Sequence, residues 1–268
     1  MTDSYAADSC AAGSRAAGGA GRLGAPAPAP APSLAPAPVR CVLFDFDGPV
    51  CALFRNHPAP GVAARLLAAL PEEVRRAVGT ADGAPVTDPQ AVLRGVGELA
   101  PGGARVAELE AWLTEEEIRA TESAVPTRNA AELIRALSDA GVALAITTNN
   151  SPRAVRRYLE RTGLTRCFGG HVYGRRHDPR LLKPHPDCLE RALKWTGVPA
   201  GESVMIGDAE ADLRAAQQLG VRFLGYATRE TKSDVLYGAG ARVVMDELPD
   251  NLTKLAAKVR QVHQARHL

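Results

Sequence analysis

Asp45 and Asp47 stand two residues apart in "CVLFDFDGPV", Asp45 directly after an apolar run and Asp47 just before a Gly-Pro break. Further along come Thr147, Thr148 and Asn149 in "ALAITTNN", Lys183 in "LLKPHPD", and Asp208 with Asp212 in "MIGDAEAD". These residue types together offer a carboxylate nucleophile, a second carboxyl that gives and takes a proton, a hydroxyl donor, a fixed ammonium charge and oxygen ligands for a hard divalent cation. Taken singly they say little: Asp before Gly is ordinary turn punctuation, and a loop lysine is ordinary solvated charge. Lysine is scarce here, however, with five in the chain against 27 arginines, and one of the five is locked between Leu182 and Pro184.

Chemistry of this kind needs a rigid frame, and the flanking sequence describes one. "CVLFD", "VALAITTN" (142–149) and "SVMIGD" (203–208) are short apolar runs that end in polar residues, with "RFLGYA" and "ARVVMD" as weaker repeats of the pattern. Helical periodicity separates them. "NAAELIRALSDAG" (129–141) places Ala131, Leu133, Ile134 and Leu137 on one face and stops at Gly141; "SPRAVRRYLERTG" offers Ser151 as N-cap, Pro152 at the first helical position and Gly163 just past the end. Strands buried on both faces and joined by helices imply an α/β fold with a doubly wound parallel sheet, which binds ligands at the carboxyl ends of its strands. That rule gathers Asp45, Thr148 and Asp208 at one edge.

The segment 58–125 has another character. "GVAARLLAALPEEVRRAV", "DPQAVLRGVGELA" and "RVAELEAWLTEEEIRATESAV" are helical patterns with no strand among them, so a small all-helical domain is expected there, inserted into a core of 40–57 and 126–268. Residues 1–39 are nearly all Ala, Gly, Pro and Ser and are expected to be disordered or extended polyproline II. The C-terminal "NLTKLAAKVRQVHQARHL" reads as an amphipathic helix with Leu252, Leu255, Ala256, Val259 and Val262 on one stripe.

Composition removes several function classes. A net charge of +2 and 4% aromatic residues argue against nucleic acid, and no run of 18 apolar residues argues for a membrane span. Five scattered cysteines suit neither a disulfide framework nor a zinc site, and the first strand is followed by no dinucleotide-binding glycine fingerprint. A cytoplasmic protein is expected, and the arginine bias hints at a GC-rich bacterial genome. Monomer and homodimer are both open.

The four stations in order resemble the haloacid dehalogenase superfamily, and within it the phosphoglycolate phosphatase-like hydrolases. "DFDGPV" resembles the first motif of that family, "ITTN" the second, "KPHP" the third and "GDAEAD" the fourth, over roughly residues 40–248. The helical insertion is similar to the C1 cap of the family in position and size. The resemblance implies a Rossmann-like core, Mg²⁺, and hydrolysis of a phosphate monoester through an aspartyl-phosphate.

The residues suit that chemistry on physical grounds. Unassisted phosphate-monoester hydrolysis is so slow that enzymes accelerate it by up to about 10²¹, roughly 28 kcal/mol, which no single group supplies. Asp45 would attack phosphorus, and Asp47 would protonate the leaving oxygen and then activate water. A dianionic phosphate would be repelled by these carboxylates without a hard cation between them; Asp45, Asp208 and, by the resemblance, the backbone carbonyl of Asp47 would hold Mg²⁺. Lys183 and the Thr148 hydroxyl, with Asn149 and nearby amides, would bind the phosphoryl oxygens, while Asp212 would orient Lys183 or a metal-bound water. A phosphomutase or another reaction of the superfamily on the same site is the alternative, and a non-catalytic binding protein is the remaining one; Asp47 argues against a dehalogenase.

Some residues depart from the family pattern. Pro49 replaces the usual Thr of the first motif, and Ala209 and Ala211 replace the Ser and Thr often seen in the fourth. Pro49 puts the geometry of the loop after the nucleophile in question, because it lacks a backbone donor. Arg55, Asn56 and His57, together with Arg175, Arg176 and His177, are candidate contacts to a small phosphorylated metabolite such as a sugar, cyclitol or small-acid phosphate.

Overall fold

The structure, a computed structural model, describes residues 38–81, 84–100 and 102–264. The expectation of a disordered tail over 1–39 falls, but for its last two residues, outside them. The chain runs through β1 (Cys41–Phe44), β2 (Cys51–Ala52), α1 (Ala59–Ala68), α2 (Glu72–Val78), β3 (Thr80–Ala81), β4 (Ala84–Pro85), α3 (Pro89–Leu99) and α4 (Ala104–Ser123). It continues with β5 (Val125–Pro126), α5 (Ala130–Asp139), β6 (Ala143–Thr147), α6 (Pro152–Thr162), α7 (Thr165–Phe168), β7 (Val172–Tyr173) and α8 (Asp187–Thr196). The last elements are β8 (Ser203–Gly207), α9 (Glu210–Leu219), β9 (Arg222–Tyr226), α10 (Glu230–Gly238), β10 (Val244–Met245) and α11 (Leu252–Gln264).

Six strands form one parallel sheet in the order β10-β9-β8-β1-β6-β7, which is the doubly wound arrangement expected from the sequence. The strand order reverses at β1, so the crevice at its carboxyl end is the topological switch point. Because side chains alternate along a strand, Val42 and Phe44 join one core cluster with Leu144, Ile146, Val204 and Ile206, while Cys41 and Leu43 join Ala145 and Met205 on the other face. The first cluster is closed by α5, α6 and α11, the second by α8 and α9. Each fully buried aliphatic or aromatic side chain contributes roughly 1.5–3 kcal/mol, so a strand buried along its whole length is a firm support for the polar residues at its carboxyl end.

The helix ends follow the capping residues. Ser151 accepts a hydrogen bond from the Arg153 amide at 3.3 Å, Pro152 opens α6, and Gly163 closes it at φ 69°. In α5, Leu133, Ile134 and Leu137 are buried as the periodicity requires, and the stripe of α11 buries Leu255, Val259 and Val262.

The insertion differs from its sequence pattern in two places. The run through 61–78 is two helices, α1 and α2, broken at Pro71, whose ring cannot continue a helix begun before it. It also contains the two-residue strands β3 and β4, paired antiparallel, where an all-helical segment is expected. The antiparallel pair β2-β5 and the edge strand β7 were likewise not anticipated, since two-residue strands are too short to show a period. The insertion has a core of its own around Val62, Leu66, Val92, Leu93, Val96, Val106, Leu109 and Leu113, with Phe54 packed against both this cluster and the sheet's.

At the end of β8 a Cβ on Gly207 would lie 2.6 Å from the Cβ of Asp212, so the absence of a side chain lets α9 approach the strand. Gly207→Ala should therefore destabilise the protein by about 1–3 kcal/mol. The urea midpoint reads this; an unchanged midpoint would show that α9 shifts freely.

Candidate active site

Register brings the stations together. Phe44 is paired with Ile146 on one side and Ile206 on the other, so the residues just past all three strands emerge side by side. The Asp45 amide still donates to Ile206 O at 2.9 Å, and the Thr148 amide donates to Tyr173 O at 3.1 Å, which carries sheet pairing to the edge of the site. Beyond Asp45 the chain folds into a wide turn: the amides of Val50 and Cys51 both donate to Phe46 O, at 3.3 and 3.2 Å. Pro49 lies inside this turn, and the donors that close it come after the proline. The doubt about residue 49 is thereby answered in physical terms, since the missing N–H is not one of those donors. Gly48 has φ 128°, and a Cβ there would collide with the Asp208 carboxylate, so the tight approach of turn and carboxylate requires glycine.

Lys183 is 2% exposed and its Nζ donates to Asp45 Oδ1 at 2.8 Å and to Thr147 O at 2.9 Å, with Asp212 Oδ1 at 2.5 Å. Burial works against its charge, but Asp212 and Asp45 more than offset this and hold its pKa above the ordinary lysine value. The other Asp212 oxygen accepts from the amides of Asp208 and Ala209, at 3.0 and 3.1 Å. Asp212 thus fixes both the lysine and the fourth loop, and the alanines at 209 and 211 leave that loop intact. Asp208 is paired with Lys232, a residue on α10 that sequence reasoning missed because it belongs to no motif.

Asp47 turns its carboxylate to the Leu53 amide, Oδ1 accepting at 2.8 Å. Burial pushes its pKa up to about 7; the Leu53 hydrogen bond pulls the other way and the Asp45 charge adds to the rise. Asp208 is also raised, by burial first, with Lys232 opposing and Asp45 and Asp212 adding. Four carboxylates facing two ammonium groups leave the cluster with surplus negative charge, which protonation or a cation must relieve.

Asp45, Asp47, Thr148, Asn149, Lys183, Asp208 and Asp212 line one cavity of about 590 Å³. The insertion contributes Ala59, Pro60, Thr87, Asp88 and Gln90 to its wall. One carboxylate oxygen from each of Asp45, Asp208 and Asp212 lies within 4.8 Å of the others, a hard oxygen set that fits a small divalent cation. Two of the three are the side chains expected to bind metal. The third, Asp212, already spends both oxygens on Lys183 and the backbone.

The remaining candidates divide. Thr148, 1% exposed, has its hydroxyl against Asn150, whereas the Thr147 hydroxyl has no partner among the described residues and the Thr147 carbonyl serves Lys183. Asn149 accepts from the Lys183 amide at 2.7 Å and donates to its carbonyl at 3.2 Å, so its side chain clamps two loops together. Arg55 is exposed on an adjoining cavity of about 600 Å³ that shares Asp47, Asp208, Arg229 and Lys232. Asn56 instead donates to Ser123 O at 2.9 Å, and His57 meets Glu116 at 2.6 Å, which ties the entry to the insertion to its exit. Arg175 is a correction of a different kind: its guanidinium is buried in a pair with Glu117, Nη1 to Oε1 2.8 Å, and is closed to a ligand. Arg176 pairs with Asp187 at 3.2 Å, and His177 is exposed outside both cavities. Glu117 and Asn150 were not singled out in the sequence; the one signal was an acid at position 117 in the stripe of Val106, Leu109, Leu113 and Ala120.

Residues 39–220 match the family model of haloacid dehalogenase-like hydrolases. Among curated proteins the chain is 29% identical over 222 residues to a phosphoglycolate phosphatase of Pectobacterium atrosepticum, covering 80% of this chain and 91% of that one. It is 28% identical over 216 residues to the phosphoglycolate phosphatase of Pseudomonas fluorescens, with 78% and 77% covered. Its fold is similar to that of CbbY from Rhodobacter sphaeroides, solved in complex with xylulose-(1,5)-bisphosphate: the TM-score is 0.56 at 20% identity, covering 78% of this chain and 94% of that one. A haloacid dehalogenase family hydrolase from Deinococcus radiodurans, with bound phosphate and sodium, gives 0.52 at 24% identity over 84% and 97%. Among the described residues no helix is long and apolar enough to cross a membrane.

The raised carboxyl pKa makes a stability prediction. Asp47 has a folded value near 7 against 3.8 unfolded, so its contribution is fully present below about pH 4 and is lost as pH rises through 7. In EDTA, the stability of the wild type relative to Asp47→Asn should fall across that window. Thermal melts at half-unit pH steps check this, and a flat difference would place the Asp47 carboxyl in an ordinary environment.

Proposed function

The chain belongs to the haloacid dehalogenase-like hydrolase family, and from that premise we propose that it is a Mg²⁺-dependent phosphatase acting on a small phosphate monoester through an aspartyl-phosphate. The observation that carries this reading is Lys183 held between Asp45 and Asp212 in a cavity that also contains Asp47, Asp208 and Thr148.

The Asp45 carboxylate, fixed at a rigid strand end, attacks phosphorus, and the leaving oxygen takes the Asp47 proton. Asp47, now ionised, removes a proton from the water that attacks the acyl phosphate, which releases phosphate and regenerates Asp45. A pKa near 7 suits a group that must both give and accept a proton close to neutrality. Lys183 neutralises charge on Asp45 and the transferring group, and the Thr148 hydroxyl with the Asn149 amide binds phosphoryl oxygens. Asp45 and Asp208 with the Asp47 carbonyl would hold the cation, which when bound supplies charge stabilisation for the phosphoryl oxygens.

The helical insertion over 58–125 acts as the cap, covering the leaving group with Ala59, Pro60, Thr87, Asp88 and Gln90. A wall of this size and polarity suits a small polar metabolite, a sugar, cyclitol or small-acid phosphate, in the cytoplasm. The names of the relatives favour a phosphorylated small acid among these.

Phosphate release should be measured over a panel of small-acid, sugar, cyclitol and nucleotide phosphates with Mg²⁺, and should stop in EDTA. Asp45→Asn should reduce turnover to background, and wild-type turnover there would remove it as the nucleophile. Asp47→Asn should cost about 10²–10⁴-fold on alkyl phosphates and less on an aryl phosphate, whose leaving group needs no acid. Equal losses on both would place the cost in the water-activation step that the two substrates share, and wild-type turnover on both would remove the acid/base role of Asp47.

A further inference from the structure

Outside the carboxylate cluster, one fully buried carboxylate belongs to the insertion. Glu117 on α4 is 0% exposed, and its carboxylate accepts from Arg175 Nη1 and Nη2 at 2.8 and 3.1 Å, from Asn150 Nδ2 at 3.1 Å and from the Ser151 amide at 2.8 Å. Arg175 spends its remaining donors nearby, on Asn149 O at 3.1 Å, Thr114 Oγ1 at 3.2 Å and Glu110 Oε1 at 3.3 Å. The network therefore grips the turn 149–151 after β6, next to Thr148.

Hydrogen-bond polarity carries the consequence one step further. A carboxylate paired with arginine only accepts, so Asn150 must turn its NH₂ toward Glu117 and its carbonyl oxygen toward Thr148. That oxygen cannot donate, so at 3.0 Å the Thr148 hydroxyl donates to it, while the same hydroxyl accepts from the Asn150 amide at 3.2 Å. The single proton of Thr148 is thus directed by a residue of the insertion, through one intervening amide.

We propose that Glu117 is a positioning residue: through Asn150 it sets the orientation of the Thr148 hydroxyl, and so couples docking of the helical insertion to phosphate recognition. The inference rests on the reading of Thr148 as a phosphate ligand. An incoming phosphate oxygen also accepts, so the hydroxyl rotates from Asn150 toward it while the Asn150 amide keeps Thr148 Oγ1 in place. Docked α4 pre-sets this exchange; without Glu117 the asparagine is free to flip and the turn to loosen.

The test is a double-mutant cycle read by calorimetric titration with inorganic phosphate in Mg²⁺, alongside KM and kcat for an aryl phosphate. Thr148→Ala should weaken phosphate binding. Asn150→Ala and Glu117→Gln should each weaken it about tenfold and raise KM more than they lower kcat. Neither should weaken it further in the Thr148→Ala background, because contacting groups that act as one unit are not additive. Thermal melts confirm folding, and Asn150→Ala, which leaves the ion pair whole, carries the test where Glu117→Gln fails to fold. Lower melting temperature with unchanged phosphate affinity, or full additivity with Thr148→Ala, would overturn the positioning role while leaving the phosphatase reading standing. If Thr148→Ala binds phosphate as the wild type does, the ligand reading of Thr148 falls and the inference with it.

Discussion

Lys183 reaches Asp45 and Asp212 from a position 2% exposed, and the surrounding structure is arranged to make that possible. Like charges 4 Å apart interact by about 4 kcal/mol at an effective dielectric near 20, a large share of a stability that is only about 5–15 kcal/mol. A cluster of Asp45, Asp47, Asp208 and Asp212 could not be held ionised at the end of a buried sheet without cations among them. Lys183 and Lys232 relieve part of the repulsion, and burial shows in the raised pKa values of Asp47 and Asp208. The negative charge left over is what a divalent cation would neutralise as a phosphate enters.

The same constraint explains why so many backbone groups are committed to placing one lysine. Asn149 binds both the amide and the carbonyl of Lys183, Thr147 offers its carbonyl to the ammonium group, and Arg94 on α3 donates to the Lys183 carbonyl at 3.2 Å. The insertion is therefore joined to the third motif as well as to the second. Its long helix α4 is fastened to the core by Glu117 to Arg175 and by Glu116 to His57, and Glu116 also reaches Arg65 on α1. Breaking one partner out of a fully buried pair such as Glu117–Arg175 costs about 3–5 kcal/mol, so this contact specifies where the insertion sits.

Much of this was legible in the residues alone. Asp45, Thr148 and Asp208 could be placed together at the carboxyl edge of a parallel sheet because apolar runs, caps and turn residues mark its strands and helices; that their strands are neighbours came from the structure. Lys183 stood out by scarcity. Arg175 and His57 were misread as open to a ligand because arginine and histidine next to a motif look alike whether they face a cavity or an opposing carboxylate. Lys232, Asn150 and Glu117 carried no motif at all. Glu117 differs from its neighbours Glu115 and Glu116 only in helical phase, and phase becomes informative once the packing partner of the helix is known.

The sequence by itself determined the fold class, the order of the four polar stations and the residue types available for chemistry, because hydrophobic periodicity and capping are local and each motif lies within a few residues. The tertiary structure decided which charges meet. Whether Pro49 disturbs the turn, whether Arg175 binds a ligand or Glu117, and which acids gather around Lys183 depend on groups up to 138 residues apart being brought within hydrogen-bond range. A buried charge is stable only with its partner in place, and that pairing is a property of the packed sheet and insertion together.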